Sequence, residues 1–271
     1  MYVVDAHTHL DKVKNFPVLL DNCARNMRFV QQAQCGKNAK LTGLMLLAEI
    51  YGQDIVDPIL TLGRQGQSLQ TESQWCFSET SEPGSICCTN QHGDSLYCVM
   101  GTQVNTLEKV EVLLFGRQSV ESNLPLRDYL PKKRDEAGQL TILPWGVGKW
   151  LGQRGKLISE VLRQEDTPLF VLGDNGNRPQ WWKRVPQFTF AQQNNLPVLR
   201  GSDPLFISGQ LSRVGTYGHL IEQVLDQKYP LQSLCRHILN WPAHILPCGN
   251  LQGILSFIRS QIALRGAKRI S

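Results

Sequence analysis

The sequence predicts an α/β fold, a TIM-like (β/α) barrel that is either regular or distorted and short of eight units. Short apolar and β-branched runs alternate along the chain with segments of helical periodicity. These runs are mostly apolar and do not alternate between apolar and polar residues, as is typical of parallel strands buried on both faces. A chain of 271 residues suffices for one large α/β domain, so we expect a single domain over residues 1–271. A doubly wound open sheet is the alternative, but it normally carries a glycine-rich loop after the first strand, where this chain has Ala6-His-Thr-His9.

Each element is assigned from its periodicity and from the glycine, proline and polar residues that bound it. The predicted strands are Val3–Asp5, Leu41–Glu49, Val110–Phe115, Thr141–Leu143, Leu169–Leu172 and Val198–Leu199. The predicted helices are Phe16–Ala33, Leu126–Glu136, Gly155–Gln164, Pro179–Asn194, Gly218–Gln227, Leu231–Asn240 and Leu251–Leu264.

Residues 62–105 interrupt this alternation. Glycines and prolines there separate three short strand-like runs, Gln74–Phe77, Ser85–Cys88 and Leu96–Met100. We predict an antiparallel β insertion that lies over one end of the barrel.

The composition is that of a globular protein in a reducing compartment. Apolar residues make up 41% and charged residues 19% of the chain, with a net charge of +5. The two basic clusters, Lys132-Lys133-Arg134 and the segment 265–269, are typical of solvated surface. No apolar run reaches bilayer length, and the start of the chain has no signal-peptide pattern, so we expect a cytoplasmic protein outside the membrane. We see no dedicated nucleic-acid motif, which favours a small-molecule substrate as partner, and the oligomeric state is not indicated.

Eight cysteines occur without a Cys-x-x-Cys pair, so we expect them to be reduced and mostly buried. Cys87-Cys88 with His92 has the residue types of a zinc knot. Adjacent cysteines are poorly spaced for joint ligation, which argues against that site.

A His-x-His pair, His7 and His9, follows the first apolar strand, next to Asp5. Side chains two apart on a strand project to the same side, so both imidazoles would leave the carboxyl end of the strand together. Imidazole is the commonest protein ligand for zinc and iron. The pair therefore predicts half of a metal coordination shell, and a chance pair in a loop is the alternative.

Further polar residues lie in or directly after the later strands, and in a barrel these positions converge on one mouth. Glu111 lies within an apolar strand, where a carboxylate must be paired, metal-bound or turned to the barrel interior. Asp174 and Asp203 each follow a strand, and helix capping or a turn is the alternative reading of each. A glycine-rich loop contains Lys149. Candidate substrate-binding residues of these loops are Arg154, Arg178, Trp145 and Trp150, with Trp181 and Trp182 as further aromatic walls.

Asp5-Ala-His7-Thr-His9 together with Gly201-Ser-Asp203-Pro resembles the first and last signatures of the amidohydrolase superfamily, including its TatD-like branch. The opening motif also resembles that of PHP (polymerase and histidinol phosphatase) domains, and the whole pattern is similar to a bacterial branch of these families. The resemblance implies that His7 and His9 bind metal, and that Asp203 binds metal and orients or deprotonates the attacking water. More weakly, it implies that Glu111 takes the place of a metal-bridging glutamate and Lys149 that of a carbamylated lysine.

Members of these families usually supply two more histidines from middle strands, and this chain has none between Glu111 and Asp203. Asp174 and Glu111 would then complete the shell. Such an oxygen-rich site suits manganese, magnesium or iron better than tightly held zinc. The site is expected to hold one metal rather than two, or to have lost metal binding.

The function that this pattern favours is a metal-dependent hydrolase acting on a phosphoester or other anionic small molecule. Asp203 or Glu111 would accept the proton of the attacking water, and Lys149 or Arg154 would stabilise a developing anion. One alternative is a catalytically degenerate barrel that binds a small molecule or a protein. Another is metal-free catalysis by Lys149 with Asp174.

Overall fold

The computed structural model describes residues 1–36, 39–69, 72–117, 119–131, 138–164, 170–207 and 209–267. In this part of the chain the fold is mixed α/β, with a nearly closed, barrel-like sheet and seven α-helices. The strands are β1 (Tyr2–Thr8), β2 (Thr42–Ile50), β3 (Ser68–Leu69), β4 (Trp75–Glu79), β5 (Ser85–Thr89), β6 (Ser95–Asn105), β7 (Glu111–Phe115), β8 (Leu140–Pro144), β9 (Phe170–Asn175), β10 (Val198–Gly201), β11 (Tyr217–Ile221) and β12 (Ile245–Gly249). The helices are α1 (Phe16–Cys35), α2 (Val56–Arg64), α3 (Leu126–Tyr129), α4 (Gly152–Leu162), α5 (Pro186–Gln193), α6 (Pro230–Ile238) and α7 (Ile254–Ala267).

The main sheet runs in the order β10-β9-β8-β7-β6-β2-β1-β11-β12. The two ends of the seven-strand run from β10 to β1 curl towards each other. The chain leaving β10 meets the carboxyl end of β1, where the backbone N–H of Asp203 donates to the carbonyl of His7 at 2.7 Å. Next to the amino-terminal half of β1 lies β11 instead, paired antiparallel through Tyr2–Val4. The barrel is therefore nearly closed at the end that carries His7.

The sheet is mixed, so the expectation of a parallel barrel needs correction. Pairs β1·β2, β2·β6, β8·β9 and β9·β10 are parallel, but β7 is antiparallel to both of its neighbours. Residues 106–110 alone connect β6 to β7. A parallel crossover needs a dozen or more residues, so a connection of this length forces a hairpin.

The predicted excursion in residues 62–105 is antiparallel, as expected. β3 pairs with β4, β4 with β5, and β5 with the first half of β6. The second half of β6 pairs instead with β7, while its other edge pairs with β2 along most of its length. The predicted run Leu96–Met100 is therefore part of a central strand of the main sheet.

The alternation of side chains along the strands separates three apolar clusters. The cluster inside the barrel collects alternate residues from β1, β2 and β6 to β11 and is closed by Leu231, Leu234 and Ile238 of α6. A second cluster lies between the outer face of β1, β2 and β6 and helices α1 and α2. The third lies between the outer face of β7, β8 and β9 and helices α3 to α5. Helices therefore cover the sheet on its outer side, as the apolar strands predicted.

Several element predictions need correction or lie outside the described residues. The predicted helix Gly218–Gln227 is wrong, because residues 217–221 form β11, whose backbone is satisfied by pairing with β1 and β12. Helix α2 and strand β12 were not predicted, and α5 begins only at Pro186. Lys132-Lys133-Arg134, residues 132–136 of the predicted helix Leu126–Glu136, Leu169 and residues 268–269 lie outside the described residues. Among the helices described, none is both long enough and apolar enough for a membrane crossing.

Candidate metal centre

Three side chains that the sequence marks as metal ligands meet at the nearly closed end of the barrel. His7 and His9 come from the carboxyl end of β1, and Asp203 lies in the loop after β10. The two Nε2 atoms are 2.8 Å apart, and each is 3.7 Å from Asp203 Oδ1. Within the described part of the chain, this is the group of three whose ligand atoms are close enough to share one cation.

The spacing of these atoms fits a single metal ion. Metal–nitrogen distances of about 2.0–2.1 Å place two ligands of a tetrahedral site roughly 3.3 Å apart. The separations of 2.8 and 3.7 Å lie on either side of that value. Three protein ligands leave one position of a tetrahedral shell open, which is the pattern of catalytic rather than structural zinc sites.

Both imidazoles are held in a form suited to binding a cation. His9 Nδ1 lies 2.6 Å from the carbonyl of Ala48 on β2, and only a protonated Nδ1 can donate there. The Nε2 lone pair of His9 then faces His7 Nε2 at 2.8 Å and can accept its proton or bind a cation. Burial lowers the pKa of His7 to about 4, against the opposing attraction of Asp203 and a hydrogen bond with Gln103. His7 is therefore neutral at pH 7, the form that ligates metal.

The carboxylate of Asp203 is oriented by two asparagines of the β9 end. Asn175 Nδ2 donates to Oδ2 at 2.8 Å, so the other oxygen faces the histidines. Asn177 Nδ2 donates to the Asp203 carbonyl, and Arg213 in turn donates to Asn177 Oδ1. The backbone of Asp203 is in the left-handed region, with φ +46°, a conformation that these contacts maintain. Burial raises the pKa of this carboxyl, but the neighbouring His7 and His9 outweigh that effect and the pKa lies below its usual value.

Asp5, beside the histidines in sequence, has a structural part in the site. Its fully buried carboxylate accepts hydrogen bonds from the backbone N–H groups of Ser202 at 2.8 Å and Gly215 at 2.7 Å. Burial raises the pKa of Asp5 to about 6 in spite of these bonds. The side chain thus ties β1 to the loop that carries Asp203.

Two of the weaker candidates, Glu111 and Lys149, form an ion pair at the same end of the barrel. Because β7 runs antiparallel, its first residue, Glu111, lies at the end where the parallel strands finish. The Lys149 ammonium contacts the Glu111 carboxylate, and the two side chains are 40% and 16% exposed. Lys149 also lies close enough to lower the pKa of both His7 and Asp203. Its ammonium is therefore within electrostatic range of the candidate ligands, with its charge balanced in part by Glu111.

Asp174 and Arg178 are brought together with each other rather than with the histidines. Arg178 Nε and Nη2 each donate to the Asp174 carboxylate at 2.7 Å, and the Tyr217 hydroxyl donates to the same carboxylate at 2.6 Å. Successive strand residues point to opposite faces, so Asp174 faces away while Asn175 reaches Asp203. Neither Asp174 nor Arg178 is joined to the metal group by any contact of the described residues.

The remaining predicted binding residues take part in packing around the site. Trp145 and Trp150 are 2% and 5% exposed and belong to the apolar cluster under α4 and α5. Arg154 Nη2 donates to the carbonyl of Gly148 at 3.0 Å, which holds the loop of Lys149. Trp182 packs edge-on against Trp145, and Trp181 is 49% exposed.

Sequence reasoning missed Asn175, Asn177 and Gln103, the amides that surround the ligands. The signal for Asn175 was present in strand alternation, because Asp174 and its neighbour cannot both face the barrel. No sequence pattern predicts Gln103 or Asn177, because their partners, His7 and Asp203, are more than 25 residues away in the chain.

Comparison with known proteins shows the fold and not the family. No family model and no curated protein matches the chain. The fold is similar to that in the crystal structure of PsfC from Pseudomonas syringae PB-5123, with a TM-score of 0.50 and 12% identity, over 100% of this chain and 99% of that chain. At this identity the likeness extends to the arrangement of strands and helices alone.

Proposed function

We propose that this protein is a metal-dependent hydrolase of a barrel related to the amidohydrolase, TatD-like and PHP families. The observation that carries the proposal is the buried group of His7, His9 and Asp203, whose ligand atoms lie 2.8 and 3.7 Å apart. Two imidazoles and one carboxylate suit zinc, iron or manganese better than magnesium, which prefers a shell of oxygen ligands. A divalent ion bound there supplies Lewis-acid activation of water and of a substrate oxygen.

Side chains around the metal site would supply the proton acceptor and the positive charge that the reaction needs. Asp203, whose Oδ2 accepts a hydrogen bond from the Asn175 amide, accepts a proton from the attacking water. The water oxygen bonds to the phosphorus or acyl carbon, the bond to the leaving oxygen breaks, and the proton passes from Asp203 to that oxygen. Lys149, held by Glu111, stabilises negative charge on the substrate. The positive charge of Lys149 favours a phosphoester or another anionic small molecule.

Removing one ligand tests the proposal. His9→Ala is expected to lose metal uptake and turnover of a phosphoester substrate together, because two ligands hold a divalent ion far more weakly than three. Metal content is measured by elemental analysis after incubation with manganese, zinc or iron(II). His92→Ala, which changes an exposed histidine, is the matched control and should retain both properties. Full metal content in His9→Ala would contradict the proposed site.

A second candidate is the degenerate barrel that binds a ligand without catalysis. Glu111 and Asp174 are each held in an ion pair, so that only His7, His9 and Asp203 remain as ligands among the described residues. Members of the families that the sequence resembles usually have more metal ligands, and this difference favours the second candidate. Metal uptake that raises the melting temperature by mass action, with no turnover of phosphoesters, carboxylic esters or amides, would support this candidate.

A further inference from the structure

A cavity of about 420 Å³ opens directly beside the metal centre. It lies between the carboxyl end of β1, the first turns of α1 and the loop after β10, and His9 forms part of its wall. The ring of Phe206 packs edge-on against the His9 imidazole with a centroid distance of 5.8 Å. The volume is within the range of about 300–1,000 Å³ that small-molecule sites occupy.

The wall of this cavity is mainly apolar. Val18 of α1 is 51% exposed and Phe206 is 41% exposed, although both are large hydrophobic side chains. Its other apolar side chains are Pro204, Leu205, Ile207 and Leu211. Apolar side chains left accessible in a concave site next to reactive groups are typical of ligand pockets.

The polar groups of the wall do not suit an anion. Asn15, Asn22 and Ser212 contribute amides and a hydroxyl, and among the described residues that line the cavity none is lysine or arginine. Asp11 supplies one carboxylate, which accepts a hydrogen bond from Asn15 at 2.8 Å. An anionic group inside the cavity would meet the carboxylate of Asp11 and no cationic side chain of the described lining residues; Arg25, which donates to Asn22 Oδ1 at 3.1 Å, is not among them. A cationic group would gain little, since Asp11 is exposed and screened by water.

We infer that this cavity binds an uncharged, largely apolar group of the substrate. The inference deepens the proposed function and rests on it for the bond that is cleaved. Lys149 lies near the metal ligands and favours an acid group there, such as a phosphoric acid. The apolar cavity beside His9 favours an uncharged apolar alcohol, so the substrate class is the ester of such an acid with such an alcohol. The acid group is held at the metal centre, and the alcohol part lies against Phe206 and Val18.

The test uses metal-free protein and three probes of equal size, benzyl alcohol, benzylammonium and benzoate. Chemical-shift changes in NMR spectra locate each probe and yield its dissociation constant. We expect benzyl alcohol to shift signals of Val18, Phe206 and Leu211 and to bind about tenfold tighter there than benzoate. The protein is metal-free in this experiment, so the binding of the probes does not depend on metal uptake or on turnover. Failure of the proposed function is recognised in a separate measurement, the metal content of the wild-type protein.

The second part of the test introduces a lysine into the wall of the cavity. Val18→Lys, at an exposed helical position that accepts lysine, is expected to weaken benzyl alcohol binding and to reverse the preference in favour of benzoate. Phe29→Lys makes the same kind of change on the same helix, at a residue that is 79% exposed and outside the cavity, and should leave the preference unaltered. The inference is overturned if none of the probes binds, if either charged probe binds tightest to the wild type, or if Val18→Lys leaves the order unchanged.

Discussion

At the scale of single residues, the candidate metal centre depends on the side chains that hold His7, His9 and Asp203 in place as much as on these three residues. The carbonyl of Ala48 selects the tautomer of His9, and the Asn175 amide selects which oxygen of Asp203 faces the histidines. Such outer contacts typically change metal affinity 10- to 100-fold when they are removed. The Asn175 amide donates to the Asp203 carboxylate and also to the carbonyl of Trp145 at 2.7 Å. The second hydrogen bond fixes the orientation of the amide that holds Asp203.

Asn175→Ala should therefore weaken metal binding by about 10- to 100-fold while all three ligands remain. The physical reason is that Asp203 loses the donor that fixes its second oxygen. Affinity is measured by competition of the protein with a chromogenic chelator for manganese or zinc. Asn194→Ala, an exposed amide at the end of α5, is the control for loss of an asparagine and should bind metal like the wild type. Unchanged affinity in Asn175→Ala would show that Asn175 does not position Asp203.

At the scale of elements, the site depends on how closely the β10 end approaches β1. Gly201, the last residue of β10, lies so near His7 that a Cβ on it would be 2.3 Å from the His7 backbone nitrogen. A residue with any side chain would push the two strands apart. This close approach is what brings Asp203, two residues further on, to the histidines.

Gly201→Ala is expected to destabilise the protein by about 1–3 kcal/mol, the usual cost of overpacking a tight contact, and to weaken metal binding as well. Urea denaturation followed by tryptophan fluorescence measures the free energy of unfolding. Gly253→Ala is the matched control, because nothing lies within 4 Å of a Cβ built at that glycine. If the two variants were equally stable, the contact of β10 with β1 would not be tight.

At the scale of the whole molecule, three apolar clusters hold the barrel and its helices together, and a buried histidine makes that assembly sensitive to acid. His219 on β11 is 3% exposed, with its Nε2 near the carbonyl of Val198 and its ring against Trp241. Burial and, to a smaller extent, the nearby Arg200 lower the pKa of His219 to about 3, against the hydrogen bond with Val198, which raises it. The folded state therefore keeps this imidazole neutral.

The contribution of His219 to the free energy of unfolding should consequently fall as the pH drops below about 6.5, the ordinary histidine pKa, towards 3. In that window the unfolded chain binds a proton at His219 that the folded chain does not, so acid favours unfolding, with a slope of up to about 1.4 kcal/mol per pH unit from this residue. Urea unfolding of the wild type and of His219→Gln between pH 7 and 4.5 measures the difference. The glutamine amide keeps a donor for Val198, and the variant should show the shallower dependence. Parallel curves would rule out His219 as the source.

The candidate site was predictable where one strand defines it and unpredictable where distant strands meet. Alternation along β1 predicts that His7 and His9 project together, and their Nε2 atoms lie 2.8 Å apart. The same reasoning could not distinguish Asp174 from Asp203, since each follows a predicted strand. Asp174 is paired with Arg178, four residues further on, and with the hydroxyl of Tyr217 on β11, and only the folded structure reveals these contacts.

The sequence by itself determined strands β1, β2 and β6 to β10, the helices other than α2, and the pair of imidazoles, because these follow from side-chain periodicity within a few residues. Tertiary structure decided that β7 runs antiparallel, that residues 217–221 pair with β1 as a strand, and which aspartate faces the histidines. Strand direction, strand pairing and the partner of a buried carboxylate depend on hydrogen bonds and charges between segments far apart in the chain. The periodicity of a short segment does not predict contacts with distant segments, so these contacts can be identified only from the folded structure.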